Sequence, residues 1–161
     1  MSTTLNLTPT WEYVADTVMG GVSTGGMTQE TYQARPATVL RGDVSLDNNG
    51  GFVQMAFDLM PDGTVFDASS WDGLALDVCG NAEIYDLRLR TDQLTRPWQS
   101  FRTDFAAPPS WQTVRIPFAE VMPHKTDEVF DSARLRRIGL LAIGRVFQAE
   151  IAVAGIQLYR T

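Results

Sequence analysis

Along this chain the apolar side chains recur at every second position. Val53, Met55, Phe57 and Leu59 alternate with Gln54, Ala56 and Asp58, the period of a strand with one buried face. The same alternation runs through Leu74, Leu76 and Val78, through Tyr85, Leu87 and Leu89, through Phe101, Thr103 and Phe105, and through Val114, Ile116 and Phe118. Ile138 to Ile143 is apolar at both parities, which predicts a strand covered on both faces in the middle of a sheet. Phe147, Ala149, Ile151 and Val153 alternate again up to Gly155, after which Ile156 and Leu158 take the opposite parity. A bulge is predicted there.

Turn residues punctuate these runs at short intervals. Asp47-Asn48-Asn49-Gly50-Gly51, Pro61-Asp62-Gly63, Trp71-Asp72-Gly73 and Ala107-Pro108-Pro109 all hold residues that reverse the chain or accept positive φ. The pattern predicts roughly nine or ten short strands, with helix confined to a turn or two within Asp127 to Arg134. Many short strands with Gly/Pro turns and no repeat or linker define an all-β fold, an antiparallel sandwich or barrel. One domain is expected over residues 1–161.

Composition narrows the function. Thirteen Lys and Arg stand against nineteen Asp and Glu, a net charge of −6. That balance excludes a phosphate-backbone binder, which needs clustered cations, and disfavours an anionic membrane surface. No nucleic acid and no membrane insertion are expected, because no run approaches the ~18 apolar residues of a spanning helix. Cys79 is the only cysteine and His124 the only histidine. No intramolecular disulfide, Cys-based zinc site or His cluster can form, and neither metal nor cofactor is predicted. Cys79 lies inside a strand pattern and reads as a buried, inert thiol. His124 has no evident nucleophile partner, and no pair among the acids stands out as a glycosidase dyad, so no catalytic residue is assigned. Met1 to Leu7 holds neither a basic segment nor a long apolar run, so a bacterial cytoplasmic location is expected.

Two segments are candidates for function. The first is Asp16-Thr17-Val18-Met19-Gly20-Gly21-Val22-Ser23, followed by Thr24-Gly25-Gly26. Its glycine pairs imply positive φ or close backbone approach, and they lack the spacing of a nucleotide-binding loop. Asp16, Met19, Gly20, Gly21 and Ser23 are read as a structural corner, with the Asp and Ser side chains bonding loop backbone. The second is a polar strand face. If Tyr85, Leu87 and Leu89 point inward, Asp86, Arg88 and Arg90 point outward. Ser100, Arg102 and Asp104 follow on the next strand, and Thr113 and Arg115 on the one after. This face reads either as solvated ion pairs or as a shallow cleft. In the second case Arg88, Arg90 and Arg102 would line it with Trp98 at its edge. Arg90 is then expected to contact the ligand and to contribute little to folding.

These segments together resemble one family. Trp11 with Asp16 to Ser23 is similar to the opening motif of the complex I intermediate-associated protein 30 family. The resemblance continues in Asn49-Gly50-Gly51-Phe52, Trp71-Asp72-Gly73-Leu74, Tyr85 with Leu87 to Thr91, Ser100-Phe101, Trp111 to Phe118 and Arg137 to Leu140, over about residues 11–159. It implies a galactose-binding-like jelly-roll β-sandwich. It also implies a non-catalytic module that acts as an assembly factor or chaperone for a protein client, such as subunits of respiratory complex I. The alternative compatible with that fold is a carbohydrate-binding module.

Overall fold

The structure, a computed structural model, describes residues 3–47 and 51–161, with the side chains of Val18 and Met19 outside that description. The turn predicted at Asn48-Asn49-Gly50 also lies outside it. Twelve strands form two antiparallel sheets, and the described residues contain no α-helix.

One sheet runs in the order β3 (Thr24–Tyr32), β4 (Arg35–Val44), β12 (Phe147–Arg160), β6 (Gly73–Gly80) and β9 (Gln112–Pro117). β1 (Thr3–Asn6) pairs with the C-terminal part of β12. The other sheet runs β10 (Met122–His124), β8 (Ser100–Ala106), β7 (Ile84–Thr91), β11 (Leu135–Ile143), β5 (Phe52–Asp58) and β2 (Glu12–Ala15). This is a jelly-roll sandwich. Alternate side chains of both sheets meet between them: Leu40, Leu74 and Leu76 from the first, Phe57, Leu87 and Leu140 from the second, all buried. Trp11 closes one end by meeting Phe57 edge-on at 4.8 Å between ring centroids.

The doubly apolar run becomes β11, which lies between β7 and β5 inside its sheet. β12 is one long strand, and its register against β6 shifts between Val153 and Gly155. Three features differ from the sequence reading. β3 and β4 form a hairpin that the pattern does not reveal, because its turn residues Gln33 and Ala34 both take positive φ without Gly, Asn or Asp. Within Asp127 to Arg134 only Ser132–Arg134 winds into a 3₁₀ turn, capped by the Asp131 carboxylate accepting from the Ala133 N–H at 3.0 Å. Thr113 and Arg115 lie on β9, which pairs with β6 in the opposite sheet rather than with β8. They therefore do not share a face with Arg88 and Arg102. Among the described residues no helix is long and apolar enough to cross a membrane.

The outer face of the first sheet is partly covered. Ala37, Val39 and Ala152 are buried there beneath Tyr32 and Trp111. The Trp111 indole N–H donates to the carbonyls of Tyr32 and Gln33 at 3.1 Å each, tying the β8–β9 connection over the hairpin end. Cys79 pairs in register with Ala152 and is fully buried, and its burial pushes the thiol pKa up.

Leu140 is fully buried between the sheets, and its truncation leaves a cavity that neighbouring strands cannot close. Leu140→Ala is expected to lower unfolding free energy by about 2–5 kcal/mol, measured by urea denaturation. Val129→Ser, at a residue 78% exposed, is expected to change it by less than about 0.5 kcal/mol.

Candidate functional site

The glycine-rich corner is built around one carboxylate. Asp16 opens a 3₁₀ turn over Asp16–Met19 and is fully buried. Its Oδ1 accepts from the Ser23 N–H at 3.0 Å. Its Oδ2 accepts from the Ser23 hydroxyl at 2.5 Å, the Gly51 N–H at 2.6 Å and the Phe52 N–H at 3.2 Å. Ser23 Oγ in turn accepts from the Ser45 N–H at 2.8 Å. Burial alone would raise the Asp16 pKa; the donors from Ser23, Gly51 and Phe52 outweigh it and hold the carboxyl below its ordinary value. Gly20 takes φ +89, and a Cβ on Gly21 would lie 2.5 Å from Asp16 Cγ. Each glycine thus has a physical cause, and the loop wraps the carboxylate rather than a ligand.

The second sheet turns its outer face into an open cleft of about 590 Å³. Register defines its floor in rows. Arg90 stands opposite Arg137, Arg88 opposite Gly139, and Asp86 opposite Leu141. On the other side of β11, Gly139 faces Ala56, Leu141 faces Gln54, and Ile143 faces Phe52. Gly139, between Arg88 and Ala56, brings no side chain of its own to the middle of the floor, where the Gln54 amide packs over it, and the trough follows β11. Arg88, Arg90 and Trp98 line it; Arg102 lies beside it, on the far side of Arg88.

The arginines are already engaged. Asp86, 6% exposed, accepts from Arg88 Nε at 2.9 Å, from Arg102 Nε at 2.7 Å and from Arg102 Nη2 at 2.8 Å. Its burial is outweighed by Arg102 and Arg88, so its carboxyl also sits below the ordinary value. The sequence reading of solvated pairs underestimates this cluster, because Asp86 is covered by both guanidinium groups. Arg90 is not free either. Its Nη1 donates to the carbonyls of Arg96, Pro97 and Gln99 at 3.2, 2.8 and 2.9 Å. Gln99 Oε1 accepts from the Thr95 and Arg96 N–H groups at 3.0 Å each. The loop is thereby fixed from below and from within, and it holds Trp98, 57% exposed, at the cleft wall.

Several cleft residues carried no signal in the sequence. His124 ends β10, a three-residue edge strand, and Lys125 follows it. His124 stands opposite Ser100, and its pKa lies below the ordinary value because of burial first, then the charges of Arg88, Lys125 and Arg102. Its imidazole is neutral at pH 7. Val14, Leu46, Phe52 and Ile143 make the far end apolar. Gly51 and Phe52, which Asp16 holds through their N–H groups, belong to that end. The corner motif therefore shapes the cleft without lining it. The Met19 side chain lies outside the described residues.

A second groove of about 490 Å³ crosses the outer face of the first sheet between Gly25, Gly42 and Gln148. Its charges are satisfied internally. Arg41 donates to both oxygens of Glu30 at 3.0 and 2.9 Å and to Glu150 at 3.0 Å, and the Tyr32 hydroxyl donates to Glu150 at 2.7 Å. The larger cleft keeps more apolar surface open.

The architecture is an all-β jelly-roll sandwich with an open trough on one sheet. The chain matches the family described as Complex I intermediate-associated protein 30 over residues 3–152, and it belongs to that family. Among curated proteins no significant sequence match is found. Similar solved structures include a family 11 carbohydrate-binding module from Clostridium thermocellum in complex with a β-1,3-1,4-mixed-linked tetrasaccharide, with 15% identity over 98% of this chain and 94% of that one, at a TM-score of 0.75. A family 30 carbohydrate-binding module of a Clostridium thermocellum cellulosomal cellulase is 16% identical over 100% and 98% of the two chains, at 0.65. These likenesses establish the fold.

Asp16 makes stability depend on acid. A carboxyl whose pKa is lowered by folding stabilises the protein above its unfolded value, and that contribution disappears as pH falls through the folded value. The wild-type melting temperature is expected to drop on acidification below about pH 4, and Asp16→Asn to be less stable at pH 7 with a shallower acid drop. Gly21→Ala is expected to cost about 1–3 kcal/mol by overpacking against the carboxylate. Arg90→Ala, removing three loop bonds, is expected to destabilise by about 1–3 kcal/mol and to broaden and shift Trp98 fluorescence, read against Trp98→Phe.

Proposed function

We propose that this protein is a non-catalytic binding module that holds a segment of a protein client in the β11 trough, acting as an assembly factor or chaperone. The observation that carries the reading is the lining itself: exposed Trp98 and an apolar end, joined to cations, with no carboxylate among the lining residues. Sugar hydroxyls are gripped by acceptors as well as donors, and here two acids beside the trough are already paired, Asp86 with Arg88 and Arg102 and Asp58 with Arg137. Family membership supports a client belonging to respiratory complex I.

A second reading, carbohydrate binding, draws on a specific likeness: the fold is that of modules solved with or for glycans, and Trp98 offers one flat aromatic surface. The two readings separate experimentally. Affinity capture from the native cell with wild-type protein is expected to recover respiratory subunits, and Trp98→Ala and Ile143→Arg, at an exposed and a half-buried residue of the lining, to lose them while keeping the wild-type melting temperature within a few degrees. Glycan-array binding that the same substitutions abolish, with no subunit recovered, would establish the carbohydrate reading instead.

A further inference from the structure

The trough has two chemically different ends. Near the 95–99 loop stand Arg90, Arg137, His124 and Lys125; toward the 46–52 segment stand Leu141, Ile143, Phe52 and Leu46. Between them the floor runs along β11 from residue 137 to residue 143, roughly 20 Å at the rise of an extended strand. Of the cations at the polar end, only Arg137 has acidic partners, Asp58 at 3.0 Å and Glu12 at 3.5 Å. Among the described residues no carboxylate lies within ion-pair distance of Arg90 or Lys125. Arg90 and Arg137 stand directly opposite each other across β7 and β11; Asp58, on the other side of Arg137, offsets that charge, whereas Arg90 meets only carbonyl dipoles. Lys125 adopts φ +57, a left-handed conformation unfavourable for a side chain of this kind and concentrated at binding sites. A protein of net charge −6 therefore keeps two cations, Arg90 and Lys125, without carboxylate partners among the described residues at one end of this cleft.

On the reading that the trough holds a protein client, we infer that the client segment is an extended peptide with acidic residues at one end and aliphatic residues at the other. Its carboxylates lie toward Lys125 and the Arg90–Arg137 pair. Its aliphatic side chains lie on Leu141, Ile143 and Phe52, past Gly139. The direction of the client is fixed by this polarity. Acidic residues meet the one concentration of positive charge on the face, and in the reverse orientation they would be desolvated on the apolar end without partners.

The test uses the full chain and two synthetic nine-residue peptides in calorimetric titration. One carries three Asp residues followed by Leu-Val-Leu and neutral spacers; the other replaces each Asp with Lys. The acidic peptide is expected to bind at least about tenfold more tightly than the lysine peptide at low salt, and to lose most of that preference at high salt. Lys125→Glu is expected to reduce the preference by about fivefold or more. Lys125→Asn, which suits positive φ and removes the charge, gives an intermediate loss and guards against a folding defect. Ile143→Arg, at the half-buried apolar end, is expected to abolish binding of both peptides. Equal binding of the two peptides, lost in Ile143→Arg but indifferent to Lys125→Glu, would overturn the polarity while leaving the peptide-binding trough standing. Binding of a mixed-linkage β-glucan tetrasaccharide with neither peptide bound would overturn both, as would the absence of binding by any of the three.

Discussion

The Asp16 carboxylate is the constraint on which the rest of the structure depends. The chain passes from the second sheet to the first between β2 and β3, and back again between β4 and β5. Asp16 sits at both crossings. It holds Ser23 at the start of the first passage's return and Gly51 and Phe52 at the end of the second, while Ser23 passes the link on to Ser45. A buried anion without a paired cation is expensive unless dipoles surround it, and here three N–H groups and one hydroxyl do so. Removing any of these donors leaves a charge in the interior. The corner is therefore unforgiving in composition: a Cβ on Gly21 collides with the carboxylate, and Gly20 needs a left-handed backbone.

From that corner the cleft follows. Gly51 and Phe52 set the apolar end, and β5 then runs beside β11, whose Gly139 adds no side chain to the floor. At the opposite end Arg90 acts upward through the sheet surface, fixing the loop that carries Trp98. Both ends are preorganised by charged groups that do not need a ligand to be satisfied: Asp16 by backbone donors, Arg90 by backbone acceptors. Such a site loses little entropy on binding. Arg102 has a different part, since with Arg88 it neutralises Asp86 and keeps that acid out of the trough. The acids beside the cleft, Asp86 and Asp58, are paired with arginines.

Much of the sandwich was legible in the sequence where one face is wet and the other dry. The alternations at 53–59, 74–79, 85–90, 100–105 and 113–118 become β5, β6, β7, β8 and β9, and the parity change at Gly155 becomes a register shift. The β3–β4 hairpin escaped because its information is not periodic. Its turn is made by Gln33 and Ala34, and β4 is buried on both faces, Leu40 in the core between the sheets and Ala37 and Val39 beneath Tyr32 and Trp111, the latter from far along the chain. The corner motif was legible in kind, as glycines around polar side chains, but not in detail, because Ser45 and Gly51 reach Asp16 only through the fold.

Strand parity assigned Arg88, Arg90 and Arg102 to one outer face, because alternation along β7 and β8 is a local property of the backbone. It did not tell which strand adjoins which. Placing Thr113 and Arg115 beside them assumed that consecutive strands pair, and the jelly-roll connection sends β9 to the other sheet. Nor did it tell which groups each arginine meets: Asp86 and the 96–99 carbonyls take their donors only once β7, β8 and the loop are packed together. The sequence by itself determined the strands, their faces and the chemistry of the corner, since these depend on neighbours one to eight residues away. Strand order, the trough along β11 and the unneutralised charge at its end were decided by tertiary structure alone, because each rests on contacts between residues distant along the chain.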